Sequence, residues 1–176
     1  SWVPKDHCDG IMDGSCGWMT AGSGRVDFIG DETCEALYTK VALEKTPIEI
    51  GVVPHKYLKM KHSVSSWKMS MALHSWSFEG EEEKIFRVEV YSIGETVQLF
   101  LNQKKIKQAK TKKNGRNIFK VKYQPGELKA VSLDSNGNKL GEVILKSASK
   151  ENALTIKPES NEISKDELVF VRLSFT

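Results

Sequence analysis

An acidic residue near the end of the chain is the first candidate for chemistry. Glu162 follows Asn161, and Ser160 and Ser164 flank this Asn-Glu pair between two predicted strands. A carboxyl group that acts as a general acid needs a walled pocket to raise its pKa. Because this segment has the composition of a hairpin loop, we interpret Glu162 as a loop residue and not as a catalytic acid.

A cluster of His7, Cys8, Cys16 and Cys34 is the candidate for a metal site. Zinc sites usually include a Cys-x₂₋₄-Cys pair, and these residues do not provide one. Three cysteines cannot all pair within one chain. Free thiols are therefore the preferred interpretation, and we expect neither a metal nor a cofactor.

Two tryptophans, Trp67 and Trp76, lie in an aromatic-rich stretch that runs to Phe78 and in which Met69, Met71 and Leu73 alternate with polar residues. If exposed on a flat sheet face, the indole rings could bind carbohydrate. Tryptophan in a β-sandwich is more often part of the core. Both interpretations remain open at this point.

A run of lysines forms a basic ribbon: Lys104, Lys105, Lys107, Lys110, Lys112 and Lys113. Such a ribbon could contact a polyanion or a nucleic acid. No aromatic residue is interleaved with the lysines, and the net charge of the whole chain is only +3. We favour a solvated hairpin whose charges prevent edge-to-edge strand pairing, and we expect no nucleic-acid partner.

Two further motifs are absent. The glycine-rich segment from Gly10 to Gly24 lacks the Gly-Lys-Ser/Thr ending of a phosphate-binding loop. Gly14 to Gly17 does not form the Gly-x-Ser-x-Gly sequence of a nucleophile elbow.

The strongest structural signal is the alternation of apolar and polar residues from Lys84 to Asp134. Apolar residues alternate within each predicted strand: Phe86, Val88 and Val90; Val97, Leu99 and Leu101; Phe119, Val121 and Tyr123. This period predicts half-buried strands, with Arg87 and Glu89 facing water. So many strands need a second apolar sheet to cover them. We predict a mainly β fold, an antiparallel Ig-like β-sandwich.

One helix is predicted, from Asp31 to Lys45, with Asp31 as its N-cap. The apolar stripe consists of Cys34, Leu37, Tyr38, Val41 and Ala42. Residues 47–53 then read as the first strand. Turns are predicted at Asn114-Gly115, Pro125-Gly126 and Asn136-Gly137.

The 176 residues suit one domain with additional pieces. No run of about 18 apolar residues occurs, so no membrane span is expected. The sequence begins with Ser1-Trp2-Val3-Pro4, without an initiator Met or an apolar export segment. We interpret it as part of a longer protein, whose own N-terminus would decide whether it stays in the cytoplasm or is exported.

Several spaced motifs resemble the region that follows the catalytic barrel in glycoside hydrolase family 2, especially bacterial β-galactosidase-like enzymes. A V-x-V-Y-S strand leads into V-x-L-F-L-N-x-K, a Y-x-P-G-x-L-x-A-V element follows, and residues 166–173 read DELVFVRL. The stretch from Gly24 to Leu43 looks like the family's exit from its barrel and its last barrel helix, before a strand matched by Pro47, Ile48, Ile50 and Val52. The motif residues are Trp76, Gly80, Glu81, Val88, Val90, Tyr91, Ser92, Val97, Leu99, Phe100, Leu101, Asn102, Lys104, Tyr123, Pro125, Gly126, Leu128, Ala130 and Val131.

This resemblance implies three parts: residues 1–45 from the end of a (β/α)₈ barrel, 46–148 as an Ig-like sandwich, and 149–176 as the first strands of a further Ig-like module. Family members are retaining enzymes with two glutamates about 5 Å apart, both upstream of this region, so the fragment would be non-catalytic. Trp2 would be the remnant of the strand whose indole packs on the sugar, and Asp6 and His7 share its loop without an assigned role.

The expected partner is the rest of the parent enzyme and, through it, a β-linked sugar, with self-association left open. Two alternatives are a stand-alone carbohydrate-binding module and an Ig-like protein-interaction module.

Overall fold

The computed structural model describes residues 24–26, 31–59, 69–148, 154–160, 162, 164 and 170–175. Seven strands form two antiparallel sheets, one of three strands in the order β1-β2-β5 and one of four in the order β4-β3-β6-β7. The strands are β1 (Ile48–Val53), β2 (Ile85–Ser92), β3 (Thr96–Leu101), β4 (Lys104–Lys110), β5 (Arg116–Lys122), β6 (Glu127–Leu133) and β7 (Lys139–Lys146). The predicted β-sandwich is confirmed.

The core between the two sheets contains the apolar residues that the alternation predicted. Phe86, Val88 and Val90 of β2 are fully buried against Val97 and Leu99 of β3. Such burial stabilises the fold by about 1.5–3 kcal/mol for each large apolar side chain. On β3 and β5, more exposed residues alternate with these buried ones. A shift of one residue in strand pairing would turn the apolar side chains to solvent, so the alternation fixes the register of both sheets.

Trp76 lies in this core and is fully buried. Its indole Nε1 donates a hydrogen bond of 3.1 Å to the carbonyl oxygen of Gln124. The indole meets the rings of Phe86 and Tyr123 edge to face, with centroids 6.0 and 4.9 Å apart. Such pairs add to the stability gained by burial. Trp76 is therefore a core residue, and its ring is not available as a carbohydrate platform.

A helix forms a third layer on the outer face of the three-stranded sheet. This helix, α1 (Cys34–Ala42), packs through Cys34, Leu37 and Val41 against Val53 and Tyr91. The sheet is thus covered on both faces, which explains why every residue of β1 is buried.

The helix begins later than the sequence predicted, because Thr33 and not Asp31 occupies the N-cap position. Residues 31–33 are held in a short pairing with residues 24–26 instead. Val26 and Glu32 form an antiparallel bridge, and the Thr33 amide donates to the Arg25 carbonyl oxygen. This pairing keeps Asp31 away from the helix. At the other end, Ala42 is exposed and Tyr38 half-buried, so the predicted stripe is narrower than expected.

Residues 69–78 run extended beside β1 but form no strand apart from a bridge between Leu73 and Val52. Burial here does not follow the alternation of apolar residues, since Met69 and Met71 are only half-buried. Ser70 and Ala72 point into the protein, whereas Leu73 is 44% exposed. Small side chains are needed on the inner side because a β-carbon placed on Gly51 would lie 2.9 Å from the Ala72 β-carbon.

Strands β8 (Leu154–Pro158) and β9 (Val171–Phe175) pair with each other as a separate two-stranded sheet. Leu154, Ile156, Val171 and Leu173 lie on one face of this sheet, and each is at least half exposed. The division of the chain at residues 45 and 148 stays a prediction.

One end of the sandwich is closed by the side chain of Asn102. Asn102 and Gln103 both have positive φ in the two-residue turn between β3 and β4. The Asn102 amide Nδ2 donates to the Pro125 carbonyl oxygen at 3.0 Å, and its Oδ1 accepts from the Glu127 amide at 2.8 Å. Two turns from different parts of the chain are thereby joined.

Gly126→Ala is expected to destabilise the chain more than Gly137→Ala, because a β-carbon at Gly126 would lie 1.9 Å from Asn102 Oδ1 and expel that side chain. Both glycines have positive φ, at 125° and 83°, but nothing lies within 4 Å of a β-carbon at Gly137. Left-handed strain costs about 1–2 kcal/mol in each variant. Loss of the Asn102 bonds adds about 1–3 kcal/mol at Gly126 alone. Urea unfolding of both variants measures the difference, and equal losses would show that Asn102 does not join the turns.

Candidate functional site

A buried carboxylate lies between the helix and the outer face of the three-stranded sheet. The alternation of β2 predicted that Glu89 would face water, and that prediction is wrong because its side chain is completely buried. The sheet is covered on this face by α1 and by residues 69–73. A charge in such a place needs ionic partners and hydrogen bonds.

Four side chains supply those partners. Ser70 Oγ donates to Glu89 Oε1 at 2.7 Å, and the Tyr91 hydroxyl donates to Oε2 at 2.8 Å. Arg116 also reaches Oε2, with its Nε at 3.0 Å and its Nη2 at 2.8 Å. Arg87 Nε lies 3.1 Å from Oε1 as an ion pair. Both carboxylate oxygens are therefore fully engaged.

The surroundings of Glu89 shift the pKa values of two neighbouring side chains, Tyr91 and Arg116. Burial raises the pKa of Tyr91 far above its usual value of 10.0, and the neighbouring negative charge of Glu89 raises it further. Burial alone would lower the pKa of Arg116, but the hydrogen bond to Glu89 and the charge of Glu89 together raise it. Tyr91 stays neutral and Arg116 stays charged, which is the pairing that a buried carboxylate requires.

Ser70 links this cluster to the helix. Its backbone amide and that of Met69 donate to Oε1 of Glu35, at 3.4 and 2.5 Å, and Glu35 lies in the first turn of α1. The Cys34 thiol donates to the Ser70 carbonyl oxygen at 3.4 Å. Because Ser70 Oγ donates to Glu89, one residue joins helix and sheet. We call Glu35, Ser70, Glu89, Arg116 and Tyr91 the helix–sheet joint.

A second contact fixes the orientation of the helix. The Tyr38 hydroxyl donates to the Asn114 carbonyl oxygen at 3.0 Å, in the turn between β4 and β5. The Tyr38 and Tyr91 rings meet edge to face with centroids 5.7 Å apart. The helix is thus held at several points along its length, and the geometry supports a structural role for the joint.

General acid–base chemistry requires a proton donor or acceptor within reach of a substrate. Glu89 has no exposed surface, and two arginines neutralise it. The joint therefore cannot meet a substrate in this conformation.

The residues predicted as candidate sites are distributed over the chain. Trp2, Asp6, His7, Cys8, Cys16, Trp67 and Asn161 lie outside the described residues, so the substrate-binding prediction for Trp2 stays a prediction. Glu162 is exposed, and its amide and carbonyl oxygen both contact Ser160 Oγ, as in a turn. In the parts of the chain that the structure describes, no three His, Cys, Asp or Glu side chains converge as metal ligands.

The six lysines of the basic ribbon lie on β4 and in the turn that follows, and all six are exposed. Strand β4 is an edge strand of the four-stranded sheet. This is the position at which lysines prevent edge-to-edge pairing.

Sequence reasoning missed the helix–sheet joint, although one signal pointed to it. Every residue of β1 except Glu49 is apolar or glycine, which is typical of a strand covered on both faces. Since β2 is its neighbour, a polar residue on the outer face of β2 would also be covered.

Among the described helices, none is long and apolar enough to span a bilayer.

Comparison with known proteins relates this fold to glycoside hydrolases. A family model described as a domain of unknown function, DUF4982, matches residues 83–141, about a third of the chain. None of the curated proteins compared matches the sequence.

Three solved structures are similar. A glycosyl hydrolase family 2 member from Bacteroides cellulosilyticus matches 99% of this chain with a TM-score of 0.76 at 24% identity. One from Bacteroides cellulosilyticus DSM 14838 matches 88% with a TM-score of 0.69 at 26% identity. A β-glucuronidase from glycoside hydrolase family 2 matches 80% with a TM-score of 0.52 at 20% identity.

This chain spans 24%, 21% and 12% of the length of those three chains. The matches to family 2 members confirm the resemblance predicted from the sequence motifs. The chain has the fold of one region of family 2 enzymes, consistent with the C-terminal region that the motifs indicated.

Glu89→Ala is expected to lower the free energy of unfolding by about 3–5 kcal/mol, because it leaves two partly buried arginines without their counter-charge. Chemical denaturation followed by circular dichroism measures this loss. Glu142→Ala is the matched control, since Glu142 pairs with Lys139 on the exposed side of β7 and should change the unfolding midpoint little. Equal, small changes in both variants would contradict a structural role for Glu89.

Tyr91→Phe is expected to weaken the alkaline destabilisation of the chain. The pKa of Tyr91 is higher in the folded state than its ordinary value of 10.0, so its contribution to stability is complete below pH 10 and is lost as the pH rises further. The free energy of unfolding of the native chain should therefore fall more steeply above pH 10, by up to about 1.4 kcal/mol per pH unit. Urea titrations between pH 8 and about pH 11 test this, and parallel curves for both proteins would refute it.

Proposed function

We propose that this chain is a non-catalytic part of a family 2 glycoside hydrolase, in which it joins the end of a catalytic barrel to an Ig-like sandwich. The observation that carries the proposal is the match of 99% of this chain to about a quarter of a family 2 glycosyl hydrolase. A match of that extent fits a piece of such an enzyme better than a self-contained enzyme.

The helix–sheet joint supports the structural part of this proposal. In the proposed enzyme, α1 is the last helix of the barrel, and Ser70 holds its first turn to Glu89 of the sandwich. An ionic and hydrogen-bonded contact depends on direction, unlike apolar packing. The joint would therefore set the angle at which the sandwich meets the barrel and support the mouth of the active site.

The small sheet of β8 and β9 supports the same view of the chain. Two strands alone are marginally stable in water, and this pair exposes a face of Leu154, Ile156, Val171 and Leu173. We propose that these strands begin a further Ig-like module whose remaining strands cover that face.

For the reaction, we propose hydrolysis of β-linked sugars by the whole enzyme, with β-galactosides as the first substrates to test. The sequence motifs resemble β-galactosidase-like enzymes most, and this is the basis of that choice. One similar structure is a β-glucuronidase, so β-glucuronides are the second class to test.

The purified 176-residue chain is expected to release no nitrophenol from nitrophenyl β-galactoside or nitrophenyl β-glucuronide. In the proposed enzyme, both catalytic glutamates lie in barrel strands that this chain does not contain. The assay should run at high protein concentration, with a complete family 2 β-galactosidase as the positive control. Nitrophenol release by the purified chain that is lost in the Glu162→Gln variant would overturn the proposal. Glu162 would then be a candidate catalytic acid.

A further inference from the structure

The charges of this chain are strongly segregated. Residues 104–122 contain nine Lys and Arg and no Asp or Glu. The rest of the chain has 17 Lys and Arg against 23 Asp and Glu, which is a net charge of −6. The modest overall charge of +3 therefore conceals a basic segment in an otherwise acidic protein.

The fold gathers these charges on one side of the sandwich. Strand β4 is an edge of the four-stranded sheet and β5 an edge of the three-stranded sheet. Lys107 of β4 and Lys120 and Lys122 of β5 line one open groove of about 200 Å³. The two edges therefore lie side by side. We call the exposed lysines of residues 104–122 the basic edge.

Few acidic groups neutralise the basic edge. Lys122 forms an ion pair with Glu83. Lys105 hydrogen-bonds to Gln108, which is uncharged and does not neutralise it. No ion pair joins Lys107 or Lys120 to an acid among the described residues. The opposite edge differs, since Lys139 on β7 pairs with Glu142 on the same strand.

Protection of an edge strand explains only part of this arrangement. Edge protection accounts for lysines on the edge strand β4 itself. The charges also continue through the turn at Lys112 and Lys113 and onto β5, beyond the edge of one sheet. A groove lined mainly by charges of one sign attracts ligands of the opposite charge.

We propose that the basic edge binds an acidic polysaccharide, a chain of sugars that carry carboxylates. The choice of a sugar polymer rests on the proposed function. The surface lacks the features of a nucleic-acid site, because the one aromatic residue of residues 104–122, Phe119, is buried and cannot stack on bases. Its one arginine, Arg116, is engaged by Glu89. Lysine ammonium groups act as point charges, so a row of them can pair with charges that repeat along a polymer.

Titration calorimetry with polygalacturonate tests this inference, with neutral galactan and single-stranded DNA as comparison ligands. The chain should bind polygalacturonate with an affinity that falls steeply as salt is raised, and should not bind galactan. A triple variant, Lys107→Gln, Lys120→Gln and Lys122→Gln, should bind at least about tenfold more weakly. The matched control, Lys129→Gln, Lys139→Gln and Lys146→Gln, removes the same charge from β6 and β7 and should bind within about twofold of the native chain.

Absence of binding to polygalacturonate would overturn the inference and leave the lysines as edge protection. Equal weakening by both triple variants would also overturn it, because net charge alone would then account for binding. DNA bound as tightly as polygalacturonate would overturn it as well, because the surface would then bind polyanions without preference for a sugar polymer. Since no readout here depends on hydrolysis, failure of this inference is distinguishable from failure of the proposed function.

Discussion

The structure depends on the constraint that a buried carboxylate must be fully paired. Glu89 has no contact with solvent, and an unpaired charge there would be very unfavourable. Arg116, Arg87, Tyr91 and Ser70 meet this requirement together. Each is held in turn by its own element: Arg116 by β5, Arg87 and Tyr91 by β2, and Ser70 by the segment beside β1. The position of one side chain thus ties three separate parts of the chain to one place on the sheet.

That requirement also explains why the helix stays on the sandwich. The apolar contact of α1 includes Cys34, Leu37 and Val41. Apolar packing is non-directional, whereas the bonds from Ser70 to Glu35 and Glu89 hold in one geometry. In the enzyme that we propose, this joint would transmit the position of the barrel to the sandwich.

The basic edge lies at the β4–β5 side, where Tyr38 of the helix contacts the connecting turn at Asn114.

Much of the fold could be predicted from the sequence, because period-two alternation reports directly on strands with one covered face. It identified the inward faces of β2, β3 and β5, and glycines with positive φ occur at all three predicted turns. It failed where a third layer covers the second face, as at Glu89. It failed again at residues 69–73, where close approach to Gly51 requires small inward side chains. The N-cap was misplaced because Thr33 and Glu32 pair with residues 24–26, a contact that no local pattern reveals. The site was therefore less predictable than the fold, since its partners come from positions 35, 70, 89 and 116.

A double-mutant cycle between Glu35 and Glu89 tests the central claim most directly, because Ser70 hydrogen-bonds to both carboxylates. Unfolding free energies would be measured for Glu35→Gln, Glu89→Gln, the double variant and the native chain. The cycle of Glu35→Gln with Glu142→Gln serves as the control. If Ser70 couples helix and sheet, the first cycle gives an interaction free energy of at least about 1 kcal/mol and the control cycle is additive. Additivity within about 0.5 kcal/mol in the first cycle would show that helix and sandwich are stabilised independently, and the account of the joint would be wrong.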